Sequence, residues 1–204
     1  MKSGLGTLVL SAINEYSGKT LVKAGILIVN GSIADSPTIV KSGGSIGGHG
    51  TTGNVTVLAG GVLSPGGPAA GTLHTDSVIL HAHAQVEVQL GVHHADQLEI
   101  SGNVNLGRAT LDVSLFGRFD SVVGKTFDII DNDGSGPVHG RFDGLAQGAR
   151  FAAGGEEFAI NYHGGDGSDV VLIALGPVPP PSPPGPEADS VNLWPHTMHH
   201  DLFL

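Results

Sequence analysis

The chain has 204 residues, enough for one domain with a buried core plus appendages, and it sets 19 Asp and Glu against 9 Lys and Arg for a formal net charge of -10. That balance repels nucleic acid and anionic membrane surfaces, so neither is an expected partner. Its 33 glycines follow no triplet period, which excludes collagen, and at roughly 1 kcal/mol per helix-interior glycine they disfavour helices and point to an almost all-β chain.

Cysteine is absent, which is compatible with export without requiring it. The opening residues 1–8, MKSGLGTL, lack a basic region, an apolar run and a cleavage site in order, so no signal peptide is expected in this chain. No stretch reaches the roughly 18 apolar residues of a spanning helix. An exported protein would contain this chain as part of a longer polypeptide.

From residue 6 to about 115 the pattern is short alternating runs separated by Gly, Asn or Ser, predicting strands at 7–10, 20–22, 26–29, 38–40, 54–57, 77–80, 85–90, 97–100 and 109–115. Period-2 alternation places Leu8 with Leu10, Leu27 with Val29, Val55 with Val57, Val78 with Leu80, and Val86 with Val88 on a common core face. The phrases TLVKAGIL at 20–27, IVKSGGSI at 39–46 and TVLAGGVL at 56–63 repeat with their glycines in step, and Val22, Val40 and Val57 advance by about 18 residues. A fixed period with few two-residue hairpin loops predicts stacked coils, a right-handed parallel β-helix over 1–115.

Aromatic residues enter after 115 (Phe116, Phe119, Phe127, Phe142, Phe151, Phe158, Tyr162), with longer runs at 126–130, 157–162 and 169–174. A coil end exposes open edges and apolar side chains, so 116–175 is read as a C-terminal cap with antiparallel strands. The segment GPVPPPSPPGP, 176–186, reads as an extended proline-rich linker, and 187–204 as a disordered tail.

The stretch 6–33, GTLVLSAINEYSGKTLVKAGILIVNGSI, resembles the autotransporter-associated β-strand repeat, a GTL strand, an N-x-Y-x-G turn, a T-x-V strand and A-G-x-L-x-V-N-G. Gly6, Thr7, Leu8, Asn14, Tyr16, Gly18, Thr20, Val22, Ala24, Gly25, Leu27, Val29, Asn30 and Gly31 occupy that pattern, and Ile26 replaces its usual Thr. Residues 42–73 are similar to the G-G-x-L-x-G-x-G and L-x-P-G segments found downstream in such proteins, and the region ending YHGGDGSDVVL looks like their terminal module. The resemblance spans about residues 4–175 and implies a β-helical secreted or surface protein without shared catalytic residues. Members often continue into an outer-membrane barrel or a sorting anchor, and the closing NLWPHTMHHDLFL matches neither.

Several motifs invite chemistry. Residues 164–172, GGDGSDVVL, match the calcium nonapeptide of β-rolls, but a single copy favours a tight turn, because such sites draw ligands from successive turns. Residues 131–136, DNDGSG, open like an EF-hand loop with oxygen ligands at Asp131, Asp133 and Ser135, yet Phe142 stands where its bidentate carboxylate belongs, which favours a hairpin loop. His81 and His83 alternate as on one outward strand face beside inward Leu80, Ala82 and Ala84, with His74, His93 and His94 near in sequence; a polar face is favoured over a metal site. The tail histidines His196, His199 and His200 would take up transition metals without specificity.

Polysaccharide-cleaving β-helices need clustered carboxylates on one outer sheet. The acids of residues 1–90, Glu15, Asp35, Asp76 and Glu87, do not align on an 18-residue period, and of the bases Lys2, Lys19, Lys23 and Lys41 only Lys23 and Lys41 fall one period apart. The expectation is therefore a non-enzymatic passenger segment, a stalk or display scaffold on the bacterial surface or outside the cell, with no cofactor and no catalytic, cofactor-binding or metal residue. The alternative is an adhesin module binding extracellular glycans or host surface proteins, for which residues 1–115 offer one aromatic, Tyr16, bordered by Phe116. A lyase or hydrolase ranks below both.

Overall fold

The computed structural model describes residues 1–117, 119, 123–134 and 136–179. The chain winds through coils that each place one short strand on each of three sheets. Coil 1 contributes β1 (Thr7–Leu10), with single bridges from Lys2 to Val22 and from Ile13 to Ser32 on the other two sides. Coil 2 is β2 (Thr20–Val22), β3 (Gly25–Val29) and β4 (Ser32–Ile33). Coil 3 is β5 (Thr38–Val40), β6 (Gly44–Gly48) and β7 (Thr51–Thr52), and coil 4 is β8 (Val55–Val57), β9 (Val62–Pro65) and β10 (Thr72–Thr75). Coil 5 is β11 (Val78–Leu80), β12 (Gln85–Leu90) and β13 (Gln97–Ile100), and coil 6 is β14 (Val104–Asn105), β15 (Thr110–Leu115) and β16 (Thr126–Asn132).

Sheet 1 runs β2-β5-β8-β11-β14 and sheet 2 runs β1-β3-β6-β9-β12-β15, both wholly parallel. Sheet 3 is parallel from β4 through β7, β10 and β13 to β16, then changes direction. There β19 (Asp169–Pro177) pairs antiparallel with β16, followed by β18 (Glu156–Gly164) and β17 (Arg150–Ala153). The fold is a parallel β-helix with an antiparallel C-terminal sheet. The last strand runs through Pro177, and the expected linker and tail from Pro180 onward lie outside the described residues.

Stacking like on like fills the interior. Val22, Val40, Val57 and Leu80 stand in register as one buried column, and Leu27, Ile46, Leu63 and Val86 form a second. The expected core face holds from coil 2 onward, while in coil 1 Leu8 is 42% exposed.

The corner from sheet 1 to sheet 2 is a stack of four-residue turns, the last of which also has a left-handed second residue, Gly107 at φ +50°. Gly44, Gly61, Ala84 and Ala109 donate N–H bonds to the carbonyls of Lys41, Leu58, His81 and Leu106, and the third residue of each turn is left-handed, with φ of +80° at Gly43, +74° at Gly60, +64° at His83 and +67° at Arg108. This corrects the placement of His81 and His83 on a strand face: the strand ends at Leu80, the turn takes over, and Ala82 is exposed while Ala84 is buried. Glycine occupies the left-handed position without the Cβ penalty. His83→Gly is therefore expected to stabilise the protein by about 1 kcal/mol, read as a higher denaturant midpoint at unchanged slope.

The C-terminal sheet closes the stack with aromatics. Phe158 is fully buried and its ring centroid lies 6.0 Å from that of Phe119, 6.3 Å from Phe127 and 5.9 Å from Phe151. Tyr162 pins the loop before β17: its hydroxyl donates to the Leu145 carbonyl at 2.8 Å and accepts from the Phe142 N–H at 3.0 Å.

Candidate functional site

The coil length is not constant. The register step from Thr20 to Thr38 is 18 residues, from Thr38 to Val55 17, from Val55 to Val78 23 and from Val78 to Val104 26. Most of the added length leaves at one corner, between sheets 2 and 3, where residues 49–50 of coil 3 give way to 66–71, 91–96 and 116–125 in later coils. Insertions gathered at one corner of a solenoid form loops on one side of the rod, and such a side is where these folds present function.

Asp96 ties two of these loops together. It is fully buried, and its carboxylate accepts the Gly71 N–H on Oδ1 at 3.0 Å and the Gln89 N–H on Oδ2 at 2.8 Å. Burial raises its pKa from 3.8 to about 6, against the lowering effect of those two bonds. A carboxylate whose folded pKa exceeds its unfolded one binds protons more tightly in the native state, so this contribution to stability is present below about pH 4 and is lost as pH rises through about 6. Asp128, also raised to about 6 by burial and by Asp169 and Asp131, acts in the same direction. Stability is thus expected to rise on acidification from pH 7.5 to 5, with Asp96 supplying about 1–3 kcal/mol of the span, and the slope should flatten in Asp96→Asn. Thermal melts across this pH range measure it.

The loop 66–71 folds back over the outward face of sheet 2. Gly66 N–H donates to the Gly48 carbonyl at 2.9 Å, and Gln89 Nε2 donates to the Gly67 carbonyl at 3.2 Å. Between loop and sheet lies a groove of about 310 Å³ with Ile26, Ile28 and Gly47 on its floor, Gly67 and Pro68 on one wall and Glu87 at one end. Gly47 is required there, because a Cβ would meet the Ser64 carbonyl oxygen of the next coil at 2.1 Å. Glu87 stands in register with Asp112 on the neighbouring strand, and Gln85 Nε2 donates to both, at 3.3 Å to Glu87 Oε1 and 3.1 Å to Asp112 Oδ2. Burial, then the Asp112 charge, raise the Glu87 pKa, and the Ser64 hydroxyl partly offsets them.

A second opening of about 270 Å³ lies by the next loop, lined in part by His93, His94, Lys125, Phe127 and Asp128. The Lys125 ammonium donates to the Val92 carbonyl and sits 4.9 Å from the Phe127 ring centroid. Asp128 Oδ1 is buried without a hydrogen-bond partner.

The two calcium-like motifs meet at the far end of sheet 3. Asn132 N–H donates to Asp169 Oδ1 at 2.9 Å, and Ser168 Oγ donates to the Asn132 carbonyl at 3.3 Å. Residues 164–168 make a tight turn, with the Gly167 N–H on the Gly164 carbonyl at 2.6 Å and Ser168 Oγ on Asp166 Oδ1 at 2.6 Å. The expected hairpin loop at 131–136 does not form: β16 pairs with β13 and β19, and the chain leaves it on a long excursion to β17. Burial and then Asp169, Asp133, Glu99 and Asp166 raise the Asp131 pKa. Among the described residues no group of three or more His, Asp or Glu side chains is placed to hold a metal ion.

The remaining candidates scatter. His74 Nδ1 lies 3.2 Å from Glu99 Oε2, and among the described residues no serine or threonine hydroxyl bonds a histidine ring. Lys23 and Lys41 do stack, one coil apart, and both are exposed. Tyr16 bonds Thr20 Oγ1 through its hydroxyl at 2.8 Å. His196, His199 and His200 lie outside the described residues. Sequence reasoning missed Asp96 and the Glu87–Asp112 pair, the latter because a fixed 18-residue period cannot align positions 25 residues apart.

The model of the passenger-associated-transport-repeat family matches residues 2–29. Two extracellular serine proteases of Serratia marcescens are similar to the chain at 29% identity over 175 residues and 31% over 176, in each case across 81% of this chain and 16% of the protease. The adhesin BmaC autotransporter of Brucella suis biovar 1 (strain 1330) is 44% identical over 68 residues, 32% of this chain and 2% of the adhesin. The chain thus spans about 16% of the length of the two proteases it matches. Residues 2–29 thus carry a passenger-associated transport repeat, and the β-helical chain that contains it is similar to extracellular serine proteases and to an autotransporter adhesin.

Proposed function

We propose that this chain is a structural segment of a passenger exposed outside the cell or at the bacterial surface, a β-helical stalk that holds other parts of a longer polypeptide away from their anchor. The observation that carries the reading is the interior: Val22, Val40, Val57 and Leu80 repeat coil upon coil as a continuous buried column, so each coil adds length and stiffness while contacting its neighbours alone. Two buried carboxylates serve the architecture, Asp96 as a loop staple and Asp169 as a tie from the last turn to β16.

The test is incubation of the purified chain with a panel of polysaccharides and with casein, following retention and new chain ends in the same samples with and without chelator. Neither retention nor cleavage is expected from a stalk. Cleavage would overturn the reading, and retention of a polysaccharide without cleavage would make the segment an adhesin, a role that the likeness to the Brucella adhesin autotransporter favours as second choice.

A further inference from the structure

We propose that the groove between the 66–71 loop and the outward face of sheet 2 is a docking site for an extended, lysine-bearing aliphatic peptide segment of another protein. Its length, lining and charge each narrow the occupant. The groove crosses from β1 over β3, β6 and β9 to β12, and four strand spacings of about 4.8 Å make about 19 Å, the reach of about six extended residues. The inner strands of this sheet are paired on both sides, so recognition runs through side chains and not through strand addition.

The floor is aliphatic. Ile26 is 41% exposed, so an apolar side chain laid over it removes aliphatic surface from water. No lining residue is aromatic, so the stacking platform that sugar rings use is absent, which favours a peptide over a glycan. Charge selects the rest of the segment. Glu87 and Asp112 are like charges in register that share one neutral Gln85 amide, and among the described residues neither forms an ion pair with Lys, Arg or His. An ammonium group at that end relieves their repulsion, donates to the two carboxylates, and leaves an aliphatic stem along the groove. Gln89 is committed to the Gly67 carbonyl, so the wall is already in place before a ligand arrives. Such a site adds a partner to the scaffold and stands whether or not the rod acts as a stalk.

The experiment is fluorescence anisotropy with a fluorescein-labelled Val-Leu-Val-Leu-Lys-Lys amide titrated with the whole chain at pH 8, beside the same peptide ending in two glutamates. Saturable binding of the lysine peptide with a Kd below about 1 mM is expected, weakening with salt, with the glutamate peptide unbound. Glu87→Gln, Asp112→Asn and Ile26→Ser should each weaken binding, the first by about 10-fold or more, while the melting curve of Ile26→Ser, an exposed position, stays near that of the parent. Absence of saturation, equal binding of both peptides, or indifference to all three substitutions would overturn the proposal. Displacement of the peptide by cellotetraose or a chitosan tetrasaccharide would overturn it too, by making the groove a carbohydrate site.

Discussion

Gly50→Val is expected to cost about 3 kcal/mol or more and to lower the melting temperature of the whole β-helix. A Cβ at position 50 would stand 2.0 Å from the Gly31 carbonyl oxygen of the preceding coil, which is backbone and cannot turn aside. The spacing is fixed by the ladder itself, with the Gly50 N–H on the Val29 carbonyl at 2.8 Å and the Thr51 N–H on the Gly31 carbonyl at 2.9 Å. Relief requires the two coils to part, breaking the bonds that join them. Gly43→Ala is the matched control. It has open space around its Cβ and pays for its left-handed φ of +80° alone, about 1 kcal/mol. Urea titrations of both variants measure the difference, and equal losses would mean that close approach between coils does not limit the stack.

Phe158→Ala is expected to be of similar size, about 3–5 kcal/mol, and to act at the other end. Its ring is the common neighbour of Phe119, Phe127 and Phe151, so truncation leaves a cavity where the parallel coils hand over to the antiparallel strands. The account predicts that limited proteolysis of this variant cuts first in the C-terminal sheet and only later among coils 2 to 5, since stability in a stack is local. Simultaneous cutting along the chain would mean that the cap and the coils unfold as one unit.

Much of the fold is written in the sequence because the stack repeats its side chains. Val22, Val40 and Val57 announce their column directly, and the Gly-Gly pairs at 43–44 and 60–61 announce the turn that stacks beneath them. The same turn at His81 to Ala84 was illegible: it keeps the geometry with none of the glycines, and alternation of His with Ala imitates a strand. The two-residue strands Ser32–Ile33, Thr51–Thr52 and Val104–Asn105 are too short for any periodicity to show, and only pairing to neighbouring coils defines them. The candidate surface was hidden for a different reason. Loops of growing length at one corner break the 18-residue step, so Glu87 and Asp112, or Gly71 and Asp96, come together through a register that composition does not reveal.

The most direct measurement of the central claim, that this is a stack of separable coils, is deletion of residues 38–54. That cut removes one strand from each sheet and joins Pro37 to Val55, the register partner of Thr38, so coil 2 meets coil 4 with Val22 over Val57 and Leu27 over Leu63. A folded, cooperatively melting protein shortened by about 4.8 Å in its longest dimension by small-angle X-ray scattering is the predicted result, with an out-of-register deletion of 38–46 failing to fold. Loss of β structure in the in-register deletion would contradict the stack.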